Sequence, residues 1–175
     1  PIRVLGSSYL TLGWGNSWNG LPDLNGSQFG IVATADNTHV TITPKVTTGS
    51  HPAGVPYNFI LNAGQTYMLR NTSDSPADLT GSRITSDSPV AVFGGHRCAN
   101  ISGSLFFCDT VLEQTLPVAL WAREYAMAPL ATRTTSELVR VIAAENSTSI
   151  SINGVLQAGV LNAGDKKDYS IAGGA

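Results

Sequence analysis

The sequence contains few charged residues, few cysteines and no long apolar run. Asp, Glu, Lys and Arg make up 13% of the 175 residues, about half the share found in typical soluble proteins. The net charge is −2, and no basic cluster is longer than Lys166-Lys167, so we expect no binding of nucleic acid. No segment reaches the roughly 18 consecutive apolar residues of a membrane span, so we expect no membrane insertion in this segment.

Apolar and polar residues instead alternate with a period of two, which predicts β-strands. In the first part of the chain the pattern marks residues 29–34, 40–43, 57–61, 66–70, 83–85 and 90–93. In the last part it marks residues 125–128, 138–143, 149–152 and 168–171. Strands with frequent turn residues and almost no helix predict an all-β fold, an antiparallel β-sandwich.

The sequence also repeats itself. Residues 1–9 align with residues 117–125, and the segment 32–42 aligns with a segment 110 positions later. Leu61-Asn62-Ala63-Gly64 recurs unchanged 100 positions later. These matches predict tandem β-sandwich repeats, residues 1–116 and an incomplete second repeat at 117–175. We expect the native protein to continue past residue 175, or another chain to complete the second repeat.

Two turn segments and one ambiguous segment complete the predicted topology. Ala35-Asp36-Asn37-Thr38 and Asn62-Ala63-Gly64, together with their counterparts in the second repeat, predict hairpin turns. Residues 109–116 carry apolar positions 111, 112 and 116 between Asp109, a possible N-cap, and Pro117. This pattern predicts a short helical turn or an irregular crossover.

The two cysteines, Cys98 and Cys108, lie ten positions apart. A disulfide fits this low-charge, Ser/Thr-rich chain best, while two buried thiols or a metal site are alternatives. The loop between them contains Phe106-Phe107, which is either a partner-binding knob or a plug at the end of the sandwich core. Four sequons are possible glycosylation sites if the source is eukaryotic: Asn25, Asn71, Asn100 and Asn146.

A second candidate binding site is the loop of residues 13–26. It contains Trp14, Asn16, Trp18 and Asn19 among glycines, outside any alternating strand. Exposed tryptophans flanked by Gly and Asn are typical of a platform for a sugar or a protein surface. The alternative is that both rings fold over the edge of the sandwich and seal it.

Catalytic and metal-binding motifs are absent from the sequence. There is no nucleophile elbow, zinc-protease motif, phosphate loop or dinucleotide fingerprint. Asp109 and Glu113 could pair for glycoside hydrolysis, although capping and backbone contacts explain them more simply. Asp36 and Asp74 offer oxygen ligands, but without the spaced acidic loop of a calcium site. We therefore predict no catalytic residue, no metal and no cofactor.

Several linked motifs resemble the IgGFc-binding protein N-terminal domain family, which occurs in animal mucus proteins and many bacterial surface proteins. The resemblance rests on the segment 88–98, on Cys108-Asp109 with Glu113-Gln114 and Pro117, and on the segment 139–146 with Thr148. It covers nearly the whole chain; Ala122 stands where the family often has glycine. The resemblance implies an extracellular, non-enzymatic binding or adhesive module. It does not carry over antibody binding, for which no residue signature is present.

Together these features predict a secreted or cell-surface adhesion module that binds a protein or glycan surface ligand. An alternative is a structural subunit of an extracellular fibre or layer that self-associates, with a neighbouring chain completing the second repeat. A hydrolase is a third hypothesis.

Overall fold

The computed structural model describes residues 2–101, 106–128 and 136–171. The chain divides into two compact units, residues 1–120 and 121–175. Helical structure in the described ranges is confined to two single 3₁₀ turns, Ile2–Val4 and Val118–Leu120. No helix among these residues is long and apolar enough to cross a membrane. The prediction of an all-β fold with antiparallel strands is confirmed.

The described residues of unit 1, residues 1–120, form one antiparallel sheet of seven strands. They are β1 (Gly6–Leu10), β2 (Ser27–Ala33), β3 (Thr38–Thr43), β4 (Tyr57–Leu61), β5 (Thr66–Asn71), β6 (Arg83–Ala99) and β7 (Asp109–Thr115).

Strand β6, with 17 residues, organises this sheet. Its first half pairs with β1 on one side and β3 on the other, and its second half pairs with β7 and β2. Strands β4 and β5 extend the two halves by pairing with β3 and β2. The two halves enclose one core in a sandwich-like arrangement, with β6 shared between them.

The sequence predicted two short strands where β6 is continuous. Ser86 is the last residue that pairs with β3, and Val90 is the first that pairs with β2. Pro89 lies in the interval where β6 changes partners. A proline is tolerated there because no neighbouring strand requires its missing N–H group.

The alternation that predicted the strands also selects the core. Every second residue of β2 is buried, and the same holds for β3. Fully buried apolar side chains from β2, β3 and β6 meet in one cluster: Phe29, Ile31, Val40, Ile42, Ile84, Val90 and Val92. The buried Tyr9 belongs to the same cluster. Its hydroxyl group donates to Val90 O (2.6 Å) and accepts from Gly6 N–H (2.8 Å), so no polar atom of this ring is left unsatisfied.

The prediction of hairpin turns at residues 35–38 and 62–64 is wrong, and their counterparts at residues 145–148 and 162–164 do not connect paired strands either. Strands β2 and β3 do not pair with each other, and neither do β4 and β5. Instead, the segments 34–37 and 62–65 lie side by side and cross together between the two halves of the sheet. Gly64 N–H donates to Ala33 O (2.9 Å), and Ala63 N–H donates to Asp36 Oδ1 (3.0 Å). Turn residues therefore form a paired corner between two strand pairs.

The helical turn or irregular crossover predicted at residues 109–116 is also wrong, because Asp109–Thr115 form strand β7. It pairs with the second half of β6, so that Val92 lies opposite Thr115 and His96 opposite Val111. The apolar residues at 111, 112 and 116 fit a helical period by coincidence in a short segment.

Unit 2, residues 121–175, contains two pairs of strands in its described residues. β8 (Glu137–Ile142) pairs with β11 (Lys166–Ile171), and β9 (Ser151–Ile152) pairs with β10 (Val155–Leu156). Asn153 and Gly154 connect β9 to β10 with φ angles of 50° and 79°, which is typical of a two-residue type I′ hairpin. The strand predicted at residues 125–128 is wrong, since that segment is irregular. That unit 2 repeats unit 1 stays a prediction.

Candidate binding site

The loop of residues 11–26 connects β1 to β2 and lies directly over β6. A Cβ atom on Gly94 would overlap the carbonyl oxygen of Leu12, and one on Gly95 would overlap the carbonyl oxygen of Val111. Glycine at these two positions of β6 therefore allows the loop and β7 to approach the backbone of the strand closely.

Asn16 fixes the centre of this loop. Its side-chain amide donates to Asn71 O (3.0 Å) and Ser73 O (2.7 Å) and accepts from the N–H groups of Gly26 (2.9 Å) and Ser27 (3.0 Å) and from His96 Nε2 (2.9 Å). The residue is buried. Asn16 therefore shapes the site from inside, while the predicted surface contact of this residue with a ligand stays a prediction.

Asn25 holds the backbone on both sides of Trp18. Its Oδ1 atom accepts from Trp18 N–H (3.3 Å), and its Nδ2 atom donates to Trp18 O (2.8 Å) and to Ser73 O (3.0 Å). Asn25 is fully buried. These hydrogen bonds from Asn25 fix the main chain of Trp18 and so determine where its ring is attached.

The tip of the loop is supported by the segment 73–78. Asp74 Oδ1 accepts from Gly20 N–H (2.8 Å), and Asn19 Oδ1 accepts from Ser75 N–H (3.1 Å). Asn19 is exposed. Its side-chain oxygen supports the loop, and its predicted contact with a ligand also stays a prediction.

His96 links the loop to the disulfide-bonded segment. Its Nδ1 atom accepts from Cys98 N–H (2.9 Å), so the ring proton of the neutral imidazole lies on Nε2 and is donated to Asn16 Oδ1 (2.9 Å). Burial lowers the pKa of His96, and the nearby Asp78 carboxylate opposes this shift. Neutral His96 is therefore the form that matches both hydrogen bonds.

The disulfide between Cys98 and Cys108 is present, as predicted. Residues 102–105 of its loop lie outside the described residues. Phe106 is 79% exposed, and its ring makes a T-shaped contact with the Trp18 ring, with centroids 5.0 Å apart and planes at 75°. The structure thus brings together the two candidate sites that the sequence predicted separately.

Phe107 is on another side of the same surface. It is 77% exposed and lines an open, mainly apolar depression of about 200 Å³ together with Ile101, Val111 and the disulfide. Because both phenylalanine side chains are exposed, they do not plug the core. We call Trp18, Phe106, Phe107 and Ile101 the aromatic surface.

The aromatic surface has an apolar centre and polar neighbours. Arg97 and Asp109 are exposed beside it, and Thr110 Oγ1 donates to Arg97 O (2.7 Å). Trp18 Nε1 is buried, and no described residue forms a hydrogen bond with it. An apolar patch with an aromatic centre and a charged rim has the composition of a protein-binding surface.

The remaining predicted residues lie elsewhere or inside the protein. Trp14 is partly buried, Asn71 and Asn100 are buried, and Asn146 is exposed. The Asn71 amide donates to Thr47 O (3.0 Å) and Thr48 Oγ1 (2.9 Å). Of the four sequons, the one at Asn146 therefore presents its asparagine side chain to solvent most openly.

The carboxylates that the sequence offered as catalytic or metal-binding groups are far apart or already hold backbone N–H groups. Asp109 and Glu113 are exposed on β7, and four residues along a strand span about 13 Å. This separation exceeds the roughly 5–9.5 Å of paired glycosidase carboxylates. Asp36 and Asp74 accept hydrogen bonds from backbone N–H groups. Among the described residues, no group of three or more His, Cys, Asp or Glu side chains is placed to hold a metal ion.

Sequence reasoning missed the parts played by His96 and Asn25. The sequence marked Asn25 only as a sequon and His96 only as part of the segment 88–98, yet both position the loop. A clue lies in the pair Gly94-Gly95 just before His96, which indicates that another chain segment lies against β6 at this point.

Comparison with known proteins identifies the family. Residues 1–174 match the family described as IgGFc binding protein. The chain is 31% identical over 174 residues to the human IgGFc-binding protein, an alignment that covers 98% of this chain and 3% of the human protein. The chain therefore belongs to the IgGFc-binding protein family, and it spans a small part of the length of that relative. No solved structure matches it.

Proposed function

We propose that this chain is a non-catalytic, extracellular binding module that attaches to a protein ligand through the aromatic surface. The observation that carries the proposal is the contact between Trp18 and Phe106. It unites two loops from distant parts of the sequence and leaves both phenylalanines open to solvent. Large rigid aromatic side chains on a fixed frame bind with little loss of conformational entropy.

The frame beneath the surface supports a role in binding. Asn16, Asn25 and His96 hold the tryptophan loop with buried hydrogen bonds, and the disulfide holds the phenylalanine loop. Such preorganisation lowers the entropy lost on association. The same groups offer no nucleophile paired with a base, which is why a catalytic role is not proposed.

Two further features support an extracellular location and a protein ligand. A disulfide is stable in oxidising compartments, and the low charge content suits a secreted, Ser/Thr-rich protein. The human relative is named for binding the Fc part of IgG. Adhesion to a protein surface is therefore the form of binding that we propose for this chain.

Biolayer interferometry of the immobilised chain with IgG Fc fragment, and a glycan array as the second probe, tests the proposal. The sequence carries no residue signature for antibody binding, so Fc is the protein probe that the name of the human relative suggests. We expect binding to this probe to weaken at least about tenfold in the F106S/F107S variant, because exposed aromatic anchors dominate such interfaces. The matched control is Met68→Ser, which removes a similarly exposed apolar side chain from β5.

Each outcome has a defined meaning. Glycan binding that depends on Phe106 and Phe107, without Fc binding, would retain the site and replace the ligand class. Binding of neither probe, or equal binding by F106S/F107S and M68S, would contradict the proposal.

A further inference from the structure

Unit 2 shares with unit 1 a set of hydrogen bonds that do not involve β6. In both units the corner between strand pairs is held by the same four contacts. In unit 1 the donors and acceptors are Gly64 N–H to Ala33 O, Ala63 N–H to Asp36 Oδ1, Asn37 N–H to Asn62 Oδ1, and Thr38 Oγ1 to Ala35 O. In unit 2 the equivalent bonds, in the same order, are Gly164 N–H to Ala143 O, Ala163 N–H to Asn146 Oδ1, Ser147 N–H to Asn162 Oδ1, and Thr148 Oγ1 to Glu145 O. Asn37 and Ser147 also share a positive φ, 55° and 57°.

The strands next to this corner also pair in the same register in both units. In unit 1, β2 pairs with β5 so that Val32 lies opposite Thr66; in unit 2, β8 pairs with β11 so that Ile142 lies opposite Lys166. In unit 1, however, β2 also pairs along its other edge with β6. Among the described residues, β8 pairs with β11 alone.

The other partners of β6 are reduced in unit 2 as well. The segment 122–126, which aligns with β1, is irregular, and β9 has two residues where β3 has six. These differences fall on the elements that, in unit 1, depend on β6.

Aligned residues of the two units that face β6 in unit 1 also differ in burial. Tyr9 is fully buried, whereas its counterpart Tyr125 is 71% exposed. Both hydroxyl groups accept a hydrogen bond from the N–H group three residues earlier, but the hydroxyl of Tyr9 also donates to Val90 of β6. Ile31 is fully buried against Val92 of β6, whereas the counterpart of Ile31, Val141, is partly exposed.

We propose that the edge of β8 opposite β11 binds a β-strand with the chemistry of β6. The bound segment would run antiparallel to β8 and place β-branched side chains on the inner face, as Val90 and Val92 do in unit 1. In the register of unit 1, those two side chains would lie opposite Ala143 and Val141. Strand addition supplies main-chain hydrogen bonds along the edge, and alternate side chains provide the specificity. The aromatic surface takes no part in this interaction.

Hydrogen exchange of the full chain, with and without an added strand, tests this proposal. The probe is a synthetic peptide with the sequence of residues 83–99 and C98S. A second sample carries the same peptide joined to the C terminus of the chain by a flexible linker, which raises its effective concentration to the millimolar range. The matched control in both arms is the peptide with V90D and V92D, which keeps the length but loses the apolar inner face.

We expect exchange of the amides in residues 137–142 to slow by at least about tenfold with the β6 peptide, because paired amides exchange only on opening. The amides of β2 should be unchanged, since β6 already covers them. Unchanged exchange at residues 137–142 in the linked sample, or equal protection by the control peptide, would overturn the proposal. Protection of β8 by concentration-dependent self-association without peptide would overturn it too, because a second copy would then be the occupant.

Discussion

Units 1 and 2 share the corner between two strand pairs, but they differ in how completely they bury the apolar side chains of those strands. Unit 1 has a core of fully buried side chains around Ile31, Val40 and Val92. In the described residues of unit 2, the aligned positions Val141 and Ile150 are partly exposed. Local sequence is therefore sufficient for the turn hydrogen bonds, whereas a closed core requires the distant strand β6.

The two units also differ in the aromatic side chains that cover the core. In unit 1, Tyr57, Phe59 and Tyr67 cover the core between β4 and β5; Phe59 stacks on Tyr67 at 4.3 Å, and the two tyrosine hydroxyls are 3.0 Å apart. The aligned residues in unit 2 are Gln157, Gly159 and Lys167. The smaller core of unit 2 thus lacks an aromatic cover as well as a strand like β6.

The largest difference between the units should be the loss of stability when the side chain at the same core position is truncated in each of them. We expect Ile31→Ala to lower the free energy of unfolding of unit 1 by about 4 kcal/mol, since it opens a cavity in a fully buried cluster. Val141→Ala should lower the stability of unit 2 by about 1 kcal/mol or less, because that side chain is partly solvated already. Segment-resolved native-state hydrogen exchange measures both values, and equal losses would argue against the difference in closure.

A smaller difference is expected for the two aligned tyrosines. Tyr9→Phe leaves Gly6 N–H and Val90 O without a partner in a buried environment and should cost about 1–3 kcal/mol. Tyr125→Phe should change stability by less than about 0.5 kcal/mol, since Ala122 N–H can bond to water. The same exchange measurement compares them, and a large effect of Y125F would show that Tyr125 is buried in solution.

The smallest effect should be a pH dependence that belongs to unit 1 alone. Burial lowers the pKa of His96 below its ordinary value of 6.5, so below about pH 6.5 the unfolded chain binds a proton that the folded unit does not. Stability should therefore be complete above pH 6.5 and decrease as the pH falls. Protonation would also place a hydrogen on Nδ1, against Cys98 N–H.

Urea unfolding from pH 7.5 to 5.5, in a Trp121→Phe background, measures this dependence, because both remaining tryptophans then lie in unit 1. His96→Gln should remove most of the slope over this range. A slope of unchanged size in H96Q would assign the dependence to other groups.

Sequence patterns predicted which residues form strands better than which strands pair. Alternation located β2, β3, β4 and β5, since a half-buried strand must alternate. Asp36, Asn37 and Gly64 correctly indicated turns, but turn chemistry does not specify whether the flanking strands pair with each other or with a third strand. That choice depends on β6, whose contacts lie 50 or more positions away from β2.

The candidate site was predictable in its parts but not in its assembly. The tryptophan loop and the phenylalanine pair were both recognised from composition, and the Cys98–Cys108 disulfide from the low charge and Ser/Thr-rich character of the chain. The two segments are joined by the hydrogen bond between Asn16 and His96, which are 80 positions apart. Single residues of common types carry no signal for such a pairing.

Native-state hydrogen exchange of residues 27–33 and 137–142 in the unmodified chain tests most directly whether β6 accounts for the difference between the units. The account predicts that amides of β2 exchange at least about a hundredfold more slowly than those of β8, since β2 is paired on both edges and covered by the core. Equal protection of the two strands would contradict it.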